Sequence, residues 1–346
     1  MINRDYAEYA WEKTVDALGI DSPTGYTDKA AAWAKAEFEK LGYPVTMTRK
    51  GGVLVDLGGE DDQDALMITA HLDTLGAMVA EVKGNGRLRL TTLGGFMAEN
   101  VETTVVRIYT REGKVYEGTI QLCNPSIHVN TQYADIKRSF DTLEVVIDED
   151  VHTAEDVRKL GIEVGDIICI NTSTRRTESG YLKSRFLDDK LSVGIMLAFS
   201  AYLAENKIVP QRRTYIHLTV YEEVGHGAAA SIPEGVTEML SVDMGCIGDG
   251  LQCTERQVSI CAKDSMGPYT YSVVSGLIAA AKATGADYAV DIYPRYGSDA
   301  DIALKAGYDI RHGLIGPGVY ASHGYERSHI DGVLNSIKVL CGYLGV

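Results

Sequence analysis

Apolar positions along this chain follow two rhythms, one with a period near 3.6 and one short and dense, which alternate over most of its length. "RDYAEYAWEKTVDAL" and "DKAAAWAKAEFEKL" predict amphipathic helices over 4–18 and 28–41, separated by the turn-rich "DSPTGYTDK", where Thr27 is placed to cap the second helix. Strands are expected at "PVTMTRK" and "GGVLVDLG", and "DALMITA" is a near-continuous apolar run, the pattern of a strand buried on both faces. At about residue 75 the texture changes: "TTVVRIYT", "KVYEGTIQL", "TLEVVIDE" and "DIICINT" are short β-rich pieces, with one helical island at "TAEDVRKLG". After "ESGYLKS" the α/β alternation resumes. "DDKLSVGIMLAFSAYLAEN" carries Leu191, Ile195, Phe199 and Tyr202 at helical spacing, and the strand patterns "RTYIHLTVY", "MLSVD" and "DYAVDIY" alternate with the helical "YTYSVVSGLIAAAKATG" and "DADIALKAG". The expected organisation is an α/β domain over 1–74 and 178–346, interrupted by a β-rich domain over 75–177.

Composition narrows the partners more than the fold. With 346 residues and 45% hydrophobic content the chain can bury a substantial core, and its length fits two domains better than one. A net charge of −15 argues against nucleic acid or an anionic membrane as partner, since both favour basic surfaces. The six cysteines are scattered, without a CxxC pair, and most lie in apolar strings; together with an N-terminus that reads as a helix start, they point to a reducing cytoplasm. "GNGRLRL" has glycines but no helix after it, so it is no phosphate loop.

The chemistry-bearing residues gather at the ends of apolar runs. "LMITA" leads into His71-Leu72-Asp73, "IHLTVY" into Glu222-Glu223, "MLSV" into Asp243, and "DIRHGLIGPGVYAS" into His323. Ligands of open α/β sheets collect at the carboxyl ends of strands. Asp188 lies where "FLDDK" enters its helix, a favourable place for a carboxylate. Two imidazoles and several carboxylates suit divalent transition metals, and five donors suit two ions sharing one carboxylate better than a single tetrahedral zinc. If "VYEE" continues its strand, Glu222 and Glu223 point to opposite faces and have different jobs, one toward metal and one toward a water.

Taken in order, "AHLDTLG", "FLDDK", "TVYEEVG", "SVDMG" and "SHGYE" resemble the M42 family of co-catalytic metallo-aminopeptidases, which includes glutamyl and tetrahedral aminopeptidases. The resemblance covers nearly the whole chain and implies an α/β fold: a mixed-sheet three-layer metallopeptidase domain with an inserted β-rich domain serving dimerisation and assembly. By the same resemblance Asp188 would bridge two divalent ions, with zinc expected first and cobalt or manganese as alternatives. His71 and Asp243 would complete one site, and Glu223 and His323 the other. Glu222 would be the general base toward a metal-activated water, Asp73 would orient His71 through its second ring nitrogen, and the Asp188–Asp189 peptide would be cis. The loop "RYGSDAD" would line the substrate pocket with Arg295, Gly297, Ser298 and Asp299, and His226 is a further candidate for the cleft. Peptide substrates and a homo-oligomer, from a dimer to a tetrahedral dodecamer, are implied as well.

Some positions depart from the family pattern. Thr74 stands where relatives have Glu, Lys190 where they commonly have Arg, and "HGYERSH" leaves His329 as a competitor to His323. His128 is a second-rank candidate within the inserted domain, whereas His152, His217 and His312 read as structural. The alternative to an aminopeptidase is a deacylase or other amidohydrolase acting on small amides through the same two-metal site. A glycosidase pair made of Glu222 and Glu223 fits poorly, because two such carboxyls must face each other across a sugar. A non-catalytic scaffold would leave the full donor set unexplained.

Overall fold

The first two amphipathic stretches are helices, α1 (Arg4–Leu18) and α2 (Asp28–Lys40), in the computed structural model, which describes residues 2–346. Asn3 caps α1 by accepting from the Asp5 N–H. Thr27 stands at the start of α2 but makes no such bond, because its backbone is already right-handed helical (φ −108°, ψ −4°), whereas a capping side chain requires extended geometry. A short antiparallel hairpin, β1 (Val45–Met47) and β2 (Val53–Asp56), precedes the long strand β3 (Asp61–His71), which is buried continuously from Ala65.

Two units make up the fold: residues up to Asp73 with Ser173–Val346, and Thr74–Thr172. The second unit contains β4 (Gly76–Val82), β5 (Leu88–Leu93), β6 (Val105–Tyr109), β7 (Val115–Leu122), β8 (Leu143–Ile147), the short helix α3 (Ala154–Lys159) and β9 (Ile167–Ile170). The strands close into a barrel in the order β4-β5-β8-β7-β6-β9 around Leu88, Val106, Ile108, Ile120, Val145 and Ile168. "GNGRLRL" is the turn and second strand of a hairpin, with Gly86 at φ +78°, a conformation that glycine adopts without strain.

The rest of the first unit runs β10 (Arg175–Arg176), β11 (Tyr181–Ser184), α4 (Leu187–Asn206), β12 (Arg212–Thr219), β13 (Val236–Val242), β14 (Gly245–Ile247), β15 (Val258–Lys263), α5 (Tyr271–Thr284), β16 (Tyr288–Ile292), α6 (Asp299–Lys305), β17 (Arg311–Tyr320), β18 (Glu326–His329) and α7 (Ile330–Leu344). Its mixed sheet is ordered β1-β2-β12-β3-β13-β17-β18-β11-β10, with β14 and β15 joined to β17, and β16 to β15. The central strands β12, β3, β13 and β17 are mutually parallel, which brings their carboxyl ends together.

Helix α4 forms where the spacing of Leu191, Ile195, Phe199 and Tyr202 places a helix, but it has no polar face. Every residue from Leu187 to Leu203 is buried, as in a helix surrounded by protein on all sides. Its Gly194 lies against α1, where an added Cβ would come within 2.2 Å of Thr14 Oγ1 and 2.3 Å of the Ala10 carbonyl oxygen. Because one of these is backbone, Gly194→Ala is expected to lower stability by about 1–3 kcal/mol, measured by urea unfolding. An unchanged midpoint and slope would show that this contact does not set the spacing of the two helices. No helix among the described residues is long and apolar enough to cross a membrane.

Candidate active site

Three neighbouring parallel strands deliver the first donors. In register, Thr219 of β12 lies beside His71 of β3, and Ser241 of β13 beside Thr69, so His71, the segment after β12 and Asp243 emerge at one edge of the sheet. Thr69 and Ser241 also share a side-chain hydrogen bond of 3.0 Å, which ties β3 to β13 just below the site. Asp188 enters from the first turn of α4, after Phe186 in a left-handed conformation, and the Asp188–Asp189 peptide is cis. His323 comes from the connection between β17 and β18.

The two glutamates are separated by a turn, not by strand alternation. β12 ends at Thr219, Tyr221 is left-handed (φ 69°), and Glu222–Val224 form a single 3-10 turn. This turn rests on Asp73, a task beyond the contact with the His71 ring expected of it. The His71 Nδ1 faces the backbone carbonyl of Asp73 at 2.8 Å, whereas the nearer Asp73 carboxylate oxygen is 3.7 Å away. That carboxylate instead accepts from the Glu222 and Glu223 N–H groups, at 3.1 and 3.4 Å, and from the Thr24 hydroxyl at 2.7 Å. Asp73 thus orients His71 through its main chain and holds the glutamate turn through its side chain.

The donors form two sets sharing one residue. His71, Asp188 and Asp243 offer ligand atoms within 4.8 Å of one another, and so do Asp188, Glu223 and His323. His71 Nε2 is 3.1 Å from Asp188 Oδ1, and His323 Nε2 is 3.4 Å from Asp188 Oδ2, so the two carboxylate oxygens face different imidazoles. Glu222 belongs to neither set; its Oε2 is 3.7 Å from His71 Nε2.

Without a cation this cluster is electrostatically poor. Burial, followed by the Asp188 charge, pushes the Glu223 carboxyl up to about 8 and that of Asp243 to about 7. Glu222 is raised well above its ordinary value, first by burial and then by the surrounding carboxylates. Burial works against Asp188 too, yet the imidazoles of His323 and His71 hold it below the usual carboxylate range. Glu223 also keeps one oxygen, Oε1, buried without a hydrogen-bond partner. Mixed imidazole and carboxylate donors, a buried unpaired oxygen and mutual carboxylate repulsion are what divalent ions would satisfy, so the residues fit a two-ion centre.

A cleft of about 450 Å³ opens onto these groups. Arg295 and Gly297 line it, together with Tyr296, Met244, Cys246 and Ile302. Ser298 and Asp299 do not: Ser298 caps α6 through Asp301, and buried Asp299 accepts from the Thr219 hydroxyl at 2.6 Å and the Ala228 N–H at 2.7 Å. They brace the wall from behind. His226 is exposed and absent from the cleft lining; its carbonyl oxygen accepts from the Lys50 ammonium. His329 is buried elsewhere, accepting from the Asp331 N–H at the start of α7 and facing the Ser179 carbonyl, so His323 alone of the two joins the donors. His128 is exposed on the 74–172 unit. Lys190 is fully buried, and burial pushes its ammonium down to about 7 against the pull of Asp73 and Asp21.

Tyr296 is a pocket residue that sequence reasoning passed over, although it lies inside the quoted loop. Its hydroxyl donates to the Met244 carbonyl at 3.0 Å, beside Asp243, and its ring packs on Tyr293 at 5.0 Å. An aromatic residue in a loop carries no periodic signal to distinguish it from ordinary packing.

Comparison with known proteins gives consistent matches. The family model described as M42 glutamyl aminopeptidase matches residues 51–339. YhfE of Bacillus subtilis (strain 168) is 40% identical over 329 residues, covering 95% of each chain. Among solved structures, the aminopeptidase APDkam598 from the archaeon Desulfurococcus kamchatkensis superposes with a TM-score of 0.88 at 20% identity, covering 98% of this chain and 95% of that one. The TET1 peptidase of Pyrococcus horikoshii, which can assemble into a tetrahedron or a large octahedral shell, has a TM-score of 0.85 at 18% identity, with 97% and 99% coverage.

Proposed function

Because this chain belongs to the M42 glutamyl aminopeptidase family, we propose that it is a metal-dependent aminopeptidase that removes N-terminal residues from peptides. One observation carries the reading: two donor sets share Asp188, and Glu222 stands beside them without belonging to either. His71, Asp188 and Asp243 would hold one divalent ion and Asp188, Glu223 and His323 the other, zinc first and cobalt or manganese as alternatives. Bound there, the ions would polarise the scissile carbonyl and make a water more acidic.

The remaining work belongs to side chains. Glu222 accepts the proton of the attacking water and delivers it to the amine that leaves. Its oxygens are free for this because it is not a ligand, and Asp73 fixes its position by holding the turn on which it sits. The cleft takes the side chain of the N-terminal residue between Arg295, Tyr296, Met244 and Ile302. Self-association through the 74–172 unit forms part of the reading, supported by Ile127 and Val129, which are 69% and 72% exposed there. A reducing, cytoplasmic setting belongs to the same reading, supported by the lack of any disulfide among the described residues.

The test compares a short peptide bearing a free N-terminus with its N-acetylated form. Release of the first amino acid from the free peptide only is expected, and a chelator should stop it. Cleavage of the blocked peptide or of small acyl amides at comparable rates would replace the aminopeptidase with a deacylase working through the same site.

A further inference from the structure

Glu326, the first residue of β18, is 1% exposed, and neither of its carboxylate oxygens belongs to the donor sets described above. Oε1 accepts from the His323 N–H at 3.1 Å and Oε2 from the Asp188 N–H at 3.1 Å. Both N–H groups occur where regular ladders cannot satisfy them. His323 is left-handed (φ 59°) in the link between two strands, and Asp188 is non-helical (φ −76°, ψ 102°) at the start of α4. β18 pairs with β11 so that Ser184 lies opposite Glu326, which puts the carboxylate beside the chain on its way from β11 to Asp188. A carboxyl group buried this deeply is costly unless it is well bonded, and here each of its two oxygens accepts from a backbone N–H.

We propose that Glu326 is a positioning residue of the candidate metal centre: one buried carboxylate clamps the backbones that carry Asp188 and His323, setting the distance between them. The inference rests on the two-ion reading above. It assigns Glu326 no contact with substrate and no proton transfer. The set formed by Asp188, Glu223 and His323 depends on the clamp at two of its members, and the set formed by His71, Asp188 and Asp243 at one. Loss of the clamp therefore weakens the former more.

The test is zinc titration of the stripped full-length chain by calorimetry, with thermal melting of the metal-free forms alongside. Glu326→Gln keeps the shape but turns one acceptor into a donor facing an N–H. It is expected to weaken one of the two ions by about 10–100-fold, the range found when partners that orient metal ligands are lost. Ser328→Ala serves as the comparison: on the same strand, its hydroxyl bonds the Gly318 carbonyl at 2.8 Å and touches no donor. It should lower the melting temperature while leaving both zinc affinities unchanged. Wild-type affinities in Glu326→Gln would overturn the proposal alone, and so would equal weakening in Ser328→Ala, which would reduce Glu326 to general support of the hairpin. A wild-type chain that takes up no zinc would overturn both this proposal and the two-ion reading.

Discussion

Glu222→Gln is expected to reduce turnover by about 10²–10⁴-fold, the range attributed to a positioned general acid–base group, with KM and metal content close to those of the parent. The amide fills the same space but cannot accept the water's proton. Because Glu222 lies outside both donor sets, its replacement should leave the affinity for ions intact. The neighbouring substitution Glu223→Gln should behave differently, losing metal together with activity, since Glu223 is a donor in the second set. Steady-state kinetics with metal analysis of both variants separates the two roles, and the reverse pattern would exchange them. The Asp73 carboxylate binds both backbone N–H groups of the turn, so neither substitution disturbs the support on which the comparison depends.

Asp188→Ala is expected to have the broadest effect. It removes the carboxylate common to both sets, leaving His71 and Asp243 on one side and Glu223 and His323 on the other, with two donors each. Two donors hold a divalent ion poorly, so both ions should be lost or bound weakly, and activity should fall by about 10³-fold or more, which corresponds to the several kcal/mol of charge stabilisation that metals contribute. The protein should still fold without metal. Its removal takes a like charge away from Glu223 and Asp243, which offsets the lost contacts to His71 and His323, and the backbone N–H at this position keeps its bond to Glu326. Loss of one ion alone, with the other retained at parental affinity, would mean that the carboxylate is not shared.

Much of the donor arrangement was legible in the sequence because local rules govern it. An apolar run such as "DALMITA" forms a central parallel strand, and polar groups that follow such runs emerge at the carboxyl edge where ligands gather. Helices α1 and α2 followed directly from their period. β17 was harder to read, because "RHGLIGPGVY" contains three glycines and a proline, residues that ordinarily argue against a strand. The structure explains two of those glycines. A Cβ at Gly316 would come within 1.7 Å of the Asp243 carbonyl oxygen, and one at Gly318 within 2.2 Å of that of Thr254, so the chains can pass this closely only without side chains.

The supporting carboxylates were less visible for a different reason. Asp73 and Glu326 act on backbone N–H groups far away in sequence, and no spacing rule links a carboxylate to such partners. Strand alternation does not separate the two glutamates, because a left-handed Tyr221 ends the strand before they are reached; a 3-10 turn instead puts Glu223 in a donor set and leaves Glu222 outside it. Arg295 and Gly297 were found from the loop that contains them, whereas Ser298 and Asp299, from the same loop, turn inward to cap and brace.

Zinc titration of the stripped wild-type chain, read by calorimetry with release of the N-terminal amino acid followed in parallel, tests the central claim most directly. Two ions per chain are expected, with activity appearing as they bind and neither uptake nor activity in Asp188→Ala. One ion per chain, or two that persist at full affinity without Asp188, would contradict a centre built on a shared carboxylate.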